Sequence, residues 1–408
     1  IAPPKPMTAE NASRPGRLWA GKRWSGRRVV TASSSARAAP PACIVHLREP
    51  LPDRPLPLPQ HAPHLLETLL AAGGGRPHRF ETGIDRALQI AVGDLVQGRA
   101  ALLARQDIHN AAALVIDNHS FQVLAYVGNA DWSVNNEHGY AVDIIQRPRS
   151  TGSVLKPLLY AAMLEAGEVL PNTLVADVPT QYAGYLPENY DRVYRGAVPA
   201  QVALAQSLNV PAVRMLKDYG VNRFYDVLQH LGMSTLQRPP DDYGLTLILG
   251  GAEGTLWDMT ALYANLAHIA QHTRPGPPIT YRRPRLLQQD EPSSGPVAEI
   301  GPASAWLTLQ ALLEVARPGE DGYWRNFSSA RKIAWKTGTS FGLRDGWAIG
   351  VPTRPRPAKA FATAKCSAFD VCPVATMASY RSTRPRISST SGRNRPRASS
   401  ISIGSPGT

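Results

Sequence analysis

Hydrophobic and polar positions divide this chain into a patterned middle and two unpatterned ends. A short apolar patch covers residues 65–73, after which Ile84, Ala87, Leu88, Ala91, Val92 and Leu95 recur at the spacing of an amphipathic helix. Residues 111–116 and 123–127 are apolar runs flanking Asp117-Asn118-His119-Ser120. They predict a hairpin whose first strand is buried on both faces. Residues 149–160 read as a tight glycine turn opening a helix, with Ser153 in its first turn. Across 197–217, Ala203, Leu204, Leu208, Val210, Ala212 and Val213 give helix signals interrupted by Ser207, Asn209 and Pro211. A further helix is expected over 250–268, opened by a Gly-rich turn, and 274–298 is a Pro-rich excursion. Residues 333–339 then read as a strand, turned by Phe341-Gly342-Leu343 into a second strand over 347–351. No internal repeat is present.

Composition changes this picture mainly at the ends. The 408 residues carry a formal net charge of +13, which invites a nucleic-acid reading. Residues 1–60 hold ten Lys and Arg against three acidic residues, and 352–408 hold ten against Asp370 alone, leaving 61–351 at −3. The basic character therefore belongs to two Pro-, Ser- and Arg-rich segments, expected to be a disordered arm (1–63) and a disordered tail (352–408) around one domain (64–351). Both ends are expected to add little to the core. Three cysteines are too few for a disulfide framework, although Cys366 and Cys372 are close enough to pair. No apolar run reaches the roughly 18–20 residues that span a bilayer. The chain opens on Ile1-Ala2-Pro3-Pro4-Lys5-Pro6, without a start methionine or signal peptide, and reads as a fragment.

The candidate chemistry begins with Ser153 and Lys156. Their three-residue spacing puts a hydroxyl and an ammonium on one helical face, and a desolvated lysine can take the proton of a serine nucleophile. Ser-x-x-Lys alone arises about once by chance in a chain this long. Ser207-Leu208-Asn209 follows 54 residues after Ser153, and Lys336-Thr337-Gly338-Thr339 follows 129 residues after Ser207, on a predicted strand. In order, at these separations and on these elements, the three motifs form a specific signal.

Ser-x-x-Lys, Ser-x-Asn and Lys-Thr-Gly together resemble the motif set of the penicillin-recognising serine acyltransferases. Longer stretches resemble the transpeptidase domain of class A penicillin-binding proteins: residues 109–117, 123–128, 207–213, 249–253 and 335–345. The ending Arg344 to Val351 is most similar to the 1C type. The resemblance implies an α+β fold, an α/β sandwich of the serine β-lactamase/transpeptidase kind. An antiparallel sheet would carry helices on both faces, beside an all-helical subdomain. It also implies a D-alanyl-D-alanine transpeptidase that acts on peptidoglycan stem peptides through an acyl-serine, binds β-lactams and needs no metal or cofactor. Ser153 would be the nucleophile and Lys156 its base, with Ser207 relaying a proton to the leaving amine. Asn209 would hold Lys156 and the donor peptide. Lys336 would attract the substrate carboxylate, with Thr337, Gly338 and Thr339 lining the substrate strand. The backbone N–H groups of Ser153 and Thr339 would form an oxyanion hole. The family setting is the periplasmic face of the inner membrane, reached through an N-terminal anchor that is missing from this sequence.

Two departures stand out. Thr151 occupies a position that is usually proline in the family. More seriously, the pattern stops at Pro352, where the family continues into a last strand, lying centrally in the sheet, and a closing helix. The abrupt change at both ends suggests a frameshifted or fragmentary translation. The expectation is therefore a domain missing its last strand and helix, with an open gap between the two hairpins, low stability, and weak or absent acylation. Residues 371–380 are the tail's best candidate for a substitute strand, but Pro373 argues against them. A penicillin-hydrolysing or carboxypeptidase-type enzyme is the near alternative, disfavoured because the deacylating carboxylate of the class A β-lactamases has no evident motif here. The alternative of another class is a non-catalytic basic interaction protein, or a degraded fragment, whose phosphate affinity would come from Arg384, Arg386, Arg393, Arg395 and Arg397. Few aromatics (Phe361, Phe369, Tyr380) and no recognised motif argue against a nucleic-acid partner.

Overall fold

The computed structural model describes residues 60–73, 79–132, 138–182, 184–272, 274, 276–292, 294–315, 333–352 and 373–381. The basic arm through residue 59, the Cys366–Cys372 pair and the arginines from Arg384 to Arg397 lie outside the described residues. In chain order the elements are α1 (Pro63–Ala72), α2 (Arg86–Leu103), β1 (Ile108–Asp117), β2 (Val123–Val127), β3 (Arg149–Ser150) and α3 (Lys156–Glu165). Then come β4 (Leu174–Asp177), β5 (Gly196–Pro199), α4 (Ala200–Ala205), α5 (Asn209–Tyr219), α6 (Val221–His230) and α7 (Pro240–Tyr243). The chain continues through β6 (Glu253–Gly254), α8 (Leu256–Ala270), β7 (Thr280–Arg282), β8 (Ser294–Val297), α9 (Pro302–Leu313), β9 (Ile333–Thr339), β10 (Asp345–Pro352) and β11 (Pro373–Arg381).

The sheet explains the apolar runs. Its order is β2-β1-β11-β10-β9, every pairing antiparallel. Strand β1 is buried on both sides because its alternate residues serve two cores. Ala112, Leu114 and Ile116 join the main core with α3, α8 and α9, whereas Ala111 and Ala113 pack with Val96 and Ala100 of α2. Helix α3 is apolar all round and buried from Lys156 to Leu164, and α8 is buried along its whole length. Such helices belong to an interior. A subdomain of α4–α7 with the short β4–β5 pair lies beside this sandwich, and the Pro-rich excursion contains the small β7–β8 pair.

The central strand corrects the sequence reading. The expected gap is filled by β11, drawn from the tail and paired antiparallel to both β1 and β10. The objection to Pro373 fails for a local reason. Pro373 is the first residue of β11, opposite Asp117, and the ladder to β10 runs only from Ala375 to Tyr380. A missing donor at a strand's first position removes no central hydrogen bond. Among the described residues no helix follows β11.

Candidate active site

Three distant segments meet at the N-terminal end of α3. The first is the turn that carries Ser153. Thr151 donates through its N–H and its hydroxyl to the Ala252 carbonyl (3.1 and 3.0 Å), two bonds that a proline could not make. Trp347 Nε1 donates to the Ser150 carbonyl and the Tyr263 hydroxyl to the Val154 carbonyl, both at 2.8 Å. Val154 N–H donates to the Thr151 carbonyl and Lys156 N–H to that of Ser153, so Ser153 occupies a tight turn and α3 begins at Lys156. Periodicity places Ser153 in the first turn of the helix, but the glycine turn extends as far as Leu155.

The second segment is β9. A Cβ on Gly338 would lie 2.7 Å from the Thr151 carbonyl oxygen and 3.3 Å from Ser153 N. One on Gly152, whose φ is +53°, would lie 2.6 Å from the Thr339 carbonyl oxygen. Only glycine allows these two backbones to touch, and the contact sets Ser153 N–H beside Thr339. Along β9 the alternation buries Ala334, Lys336 and Gly338 on the core side; Thr337 is half-buried and Thr339 exposed. Lys336, 1% exposed, donates from Nζ to Ser207 Oγ (2.8 Å) and to the Thr337 carbonyl (2.7 Å).

The third segment is the junction of α4 and α5. Ser207 N–H bonds to the Leu204 carbonyl and Leu208 N–H to that of Ala203, while Ala203 and Leu208 pack together. This is a Schellman helix ending, in which a left-handed residue, usually glycine, follows the helix. Here Ser207 takes that place at φ +56°. The turn aims carbonyls at Lys156, whose Nζ donates to the Ser207 carbonyl (2.8 Å), the Leu208 carbonyl (3.2 Å) and Asn209 Oδ1 (2.7 Å), with Ser207 Oγ at 3.5 Å. Asn209 Nδ2 donates to the Glu188 carbonyl (2.8 Å).

Lys156, Ser207, Asn209 and Lys336 thus form one hydrogen-bonded network, and Ser153 stands beside β9 at its edge. The direct Ser153–Lys156 bond suggested by the motif is not made: among the described residues the half-buried Ser153 hydroxyl has no partner, because Lys156 Nζ faces residues 207–209. Burial lowers Lys336 to about 7. Burial first, and the charge of Lys336 second, push Lys156 well below the usual lysine value. The acceptors around its Nζ work in the opposite direction. Neither amine has a carboxylate ion-pair partner among the described residues. Nor do three His, Cys, Asp or Glu side chains gather there as a metal site would need.

Sequence reasoning missed Asn189 and Asp177. Asn189 Oδ1 accepts from the N–H groups of Asn209 and Val210 (2.9 and 3.2 Å), and its Nδ2 donates to Asp177 Oδ1 (2.7 Å) and the Val193 carbonyl (2.8 Å). A clue was available: Leu208 precedes α5 and has no side-chain oxygen to cap it, so the cap has to come from elsewhere.

A five-stranded antiparallel sheet between helices, with a serine turn pressed against a Lys-Thr-Gly strand, is the fold of the serine transpeptidases. Residues 111–362 match the model described as penicillin binding protein transpeptidase domain, and the chain belongs to that family. It is 34% identical to penicillin-binding protein 1C of Escherichia coli over 306 residues, which is 75% of this chain and 37% of that protein. It is 28% identical to penicillin-binding protein 1B of Vibrio cholerae, covering 68% of this chain and 36% of that one. The chain therefore spans just over a third of these curated relatives. Among solved structures, a peptidoglycan glycosyltransferase from Burkholderia ambifaria superposes with a TM-score of 0.56 at 17% identity, covering 74% of this chain and 90% of that one. The transpeptidase domain of Burkholderia pseudomallei penicillin-binding protein 3 superposes with a TM-score of 0.55 at 16% identity, covering 75% and 89%. These two likenesses concern the fold alone.

Proposed function

We propose that this chain is a D-alanyl-D-alanine transpeptidase of peptidoglycan that works through an acyl-serine at Ser153. The observation that carries the reading is the single hydroxyl, Ser207 Oγ, set between two buried amines at 2.8 and 3.5 Å. A neutral Lys156 spends its two N–H groups on Asn209 Oδ1 and the Ser207 carbonyl and keeps a lone pair. That lone pair takes the Ser153 proton as Oγ attacks the carbonyl carbon of the penultimate D-alanine. The Ser153–Lys156 bond then forms on substrate binding, since such contacts often tighten only in the complex. The negative oxygen is met by the Ser153 and Thr339 N–H groups. As the C–N bond breaks, the leaving D-alanine amine receives a proton through Ser207. An acceptor stem-peptide amine then attacks the ester and frees Ser153. Lys336, Thr337 and Thr339 bind the terminal carboxylate along β9, with Gly338 admitting the close backbone approach.

β-Lactams present the same carbonyl in a ring and acylate the same serine. The substrate is assembled on the periplasmic face of the inner membrane, which is the setting we assign; among the described residues no helix is long and apolar enough to cross a membrane. The test is to incubate the 408-residue chain with fluorescent penicillin, denature it and map the adduct by peptide mass. One covalent equivalent on Ser153, absent from Ser153→Ala, is expected. No adduct, or an adduct elsewhere, overturns the reading.

A further inference from the structure

Ser207 and Leu208 are tied to the end of α4 through their own N–H groups, but nothing within residues 207–209 caps the start of α5. Ser207 is left-handed, Leu208 supplies no cap, and the first N–H groups of α5 are orphans that need acceptors. Asn189, twenty residues upstream and 3% exposed, provides the acceptor for two of them through a single oxygen. Its amide is in turn oriented by Asp177, which is fully buried at the end of β4 and also accepts from the Arg195 N–H (3.0 Å). The chain of bonds runs Asp177–Asn189–Asn209–Lys156, and it reaches the amine through the shortest of that amine's hydrogen bonds.

We propose that Asn189, fixed by Asp177, is the positioning residue that docks the start of α5 and so aims the Ser207–Asn209 segment at Lys156; this rests on the acyl-serine reading given above. The Asn189 side chain makes its hydrogen bonds to the Asp177 side chain, the Val193 carbonyl and the N–H groups of Asn209 and Val210, and none to Lys156. It acts by fixing where Asn209 Oδ1 and the carbonyls of 207 and 208 stand. The Asn209 side chain cannot do this for itself, because both of its ends are engaged, with Lys156 and with the Glu188 carbonyl.

The test measures the rate constant of acylation by fluorescent penicillin in the full chain, as a function of pH, with a thermal melt of each variant. Asn189→Ala is expected to lower the rate about 10- to 100-fold, as two hydrogen bonds to a tightly oriented segment are lost. With fewer acceptors held around its ammonium form, Lys156 should titrate lower, moving the rising limb of the pH profile to lower pH. Asn189→Asp sets two carboxylates face to face and should be as slow. Adding Asp177→Asn restores a donor opposite that acceptor, so N189D/D177N should recover at least about tenfold over N189D, a coupling that independent sites do not show. An Asn189→Ala chain that acylates at the original rate with an unmoved limb overturns the proposal. If Asn189→Ala does not fold, the double variant decides: a melt restored without a restored rate overturns it. Absence of labelling in the unaltered chain sinks both this proposal and the reading beneath it, whereas a labelled parent with unaffected variants sinks this one alone.

Discussion

The two walls of the candidate site are built by different means. On the sheet wall, β9 places Lys336 and Gly338 by alternation alone, and β10, paired along the whole of β9, keeps that alternation in register. On the helical wall, Ser207 and Asn209 sit at a break between two short helices, in a backbone shape serine adopts reluctantly, held by Asn189 and Asp177. A strand places its side chains by geometry; a helix junction needs outside support. The sheet wall should therefore tolerate neighbouring changes and fail only when its own residues or its strands are lost, while the helical wall should be sensitive to residues well away from it.

The largest effect should come from the sheet itself. Ending the chain at residue 372 removes β11 and opens the ladders of β1 and β10. Buried unpaired backbone groups cost about 1–3 kcal/mol each, against a typical domain stability of about 5–15 kcal/mol. The shortened chain should show no cooperative melt and no penicillin labelling; a cooperative melt would mean that β11 does not hold the hairpins together.

Lys336→Met comes next. Labelling should fall by at least about 100-fold, within the range for losing a preorganised electrostatic group, while stability rises at low pH. The folded value of about 7 lies below the ordinary 10.5, so between these two pH values the unfolded chain holds a proton that the folded chain does not. Stability therefore increases with pH across that window, and the penalty of the buried ammonium is fully present below about 7. Melts at pH 6 and pH 9 should show a larger advantage for the methionine variant at pH 6; an equal advantage at both would mean that Lys336 titrates normally.

Ser207→Gly separates the two demands on the helical wall. Relieving a left-handed serine should stabilise by about 1 kcal/mol, or about 2–4 °C in the melt of a domain this large. Acylation should fall at least about tenfold, since the hydroxyl between the amines is gone. Ser207→Ala should slow acylation equally without raising the melt. A stabilised alanine variant would show that the backbone is not strained. The smallest effect is expected from Trp347→Phe, which deletes one hydrogen bond to the Ser150 carbonyl worth about 1 kcal/mol and should slow acylation only a few-fold.

The same contrast explains what was legible in the sequence. The apolar runs of β1, β2, β9 and β10 fill one or both faces of a sheet, and that burial is written in their periodicity. The position of Lys336 follows from the same alternation, and the three motifs lie on the segments that the fold brings together. Ser207's left-handed turn was not legible, because it depends on a helix ending after Ala205 and restarting at Asn209. Asn189 was invisible for the same reason: an Asx residue in a loop carries no mark of which helix it caps. Residues 371–380 carry the signal of the tail strand, and Pro373 argues against it only if it lies in the middle of a ladder; it lies at the end of one, opposite Asp117.

The position of β11 has a consequence for the order of folding. Its partner β1 lies more than 250 residues earlier in the chain, and its other partner, β10, more than 20. Such distant pairings are slow to form, because the chain between them must first be closed into a loop. During synthesis the β1–β2 hairpin emerges early and waits with the β1 edge unpaired until β11 arrives. Bare strand edges recruit other strands, so the growing chain is at its most aggregation-prone while β1 and β10 wait for β11.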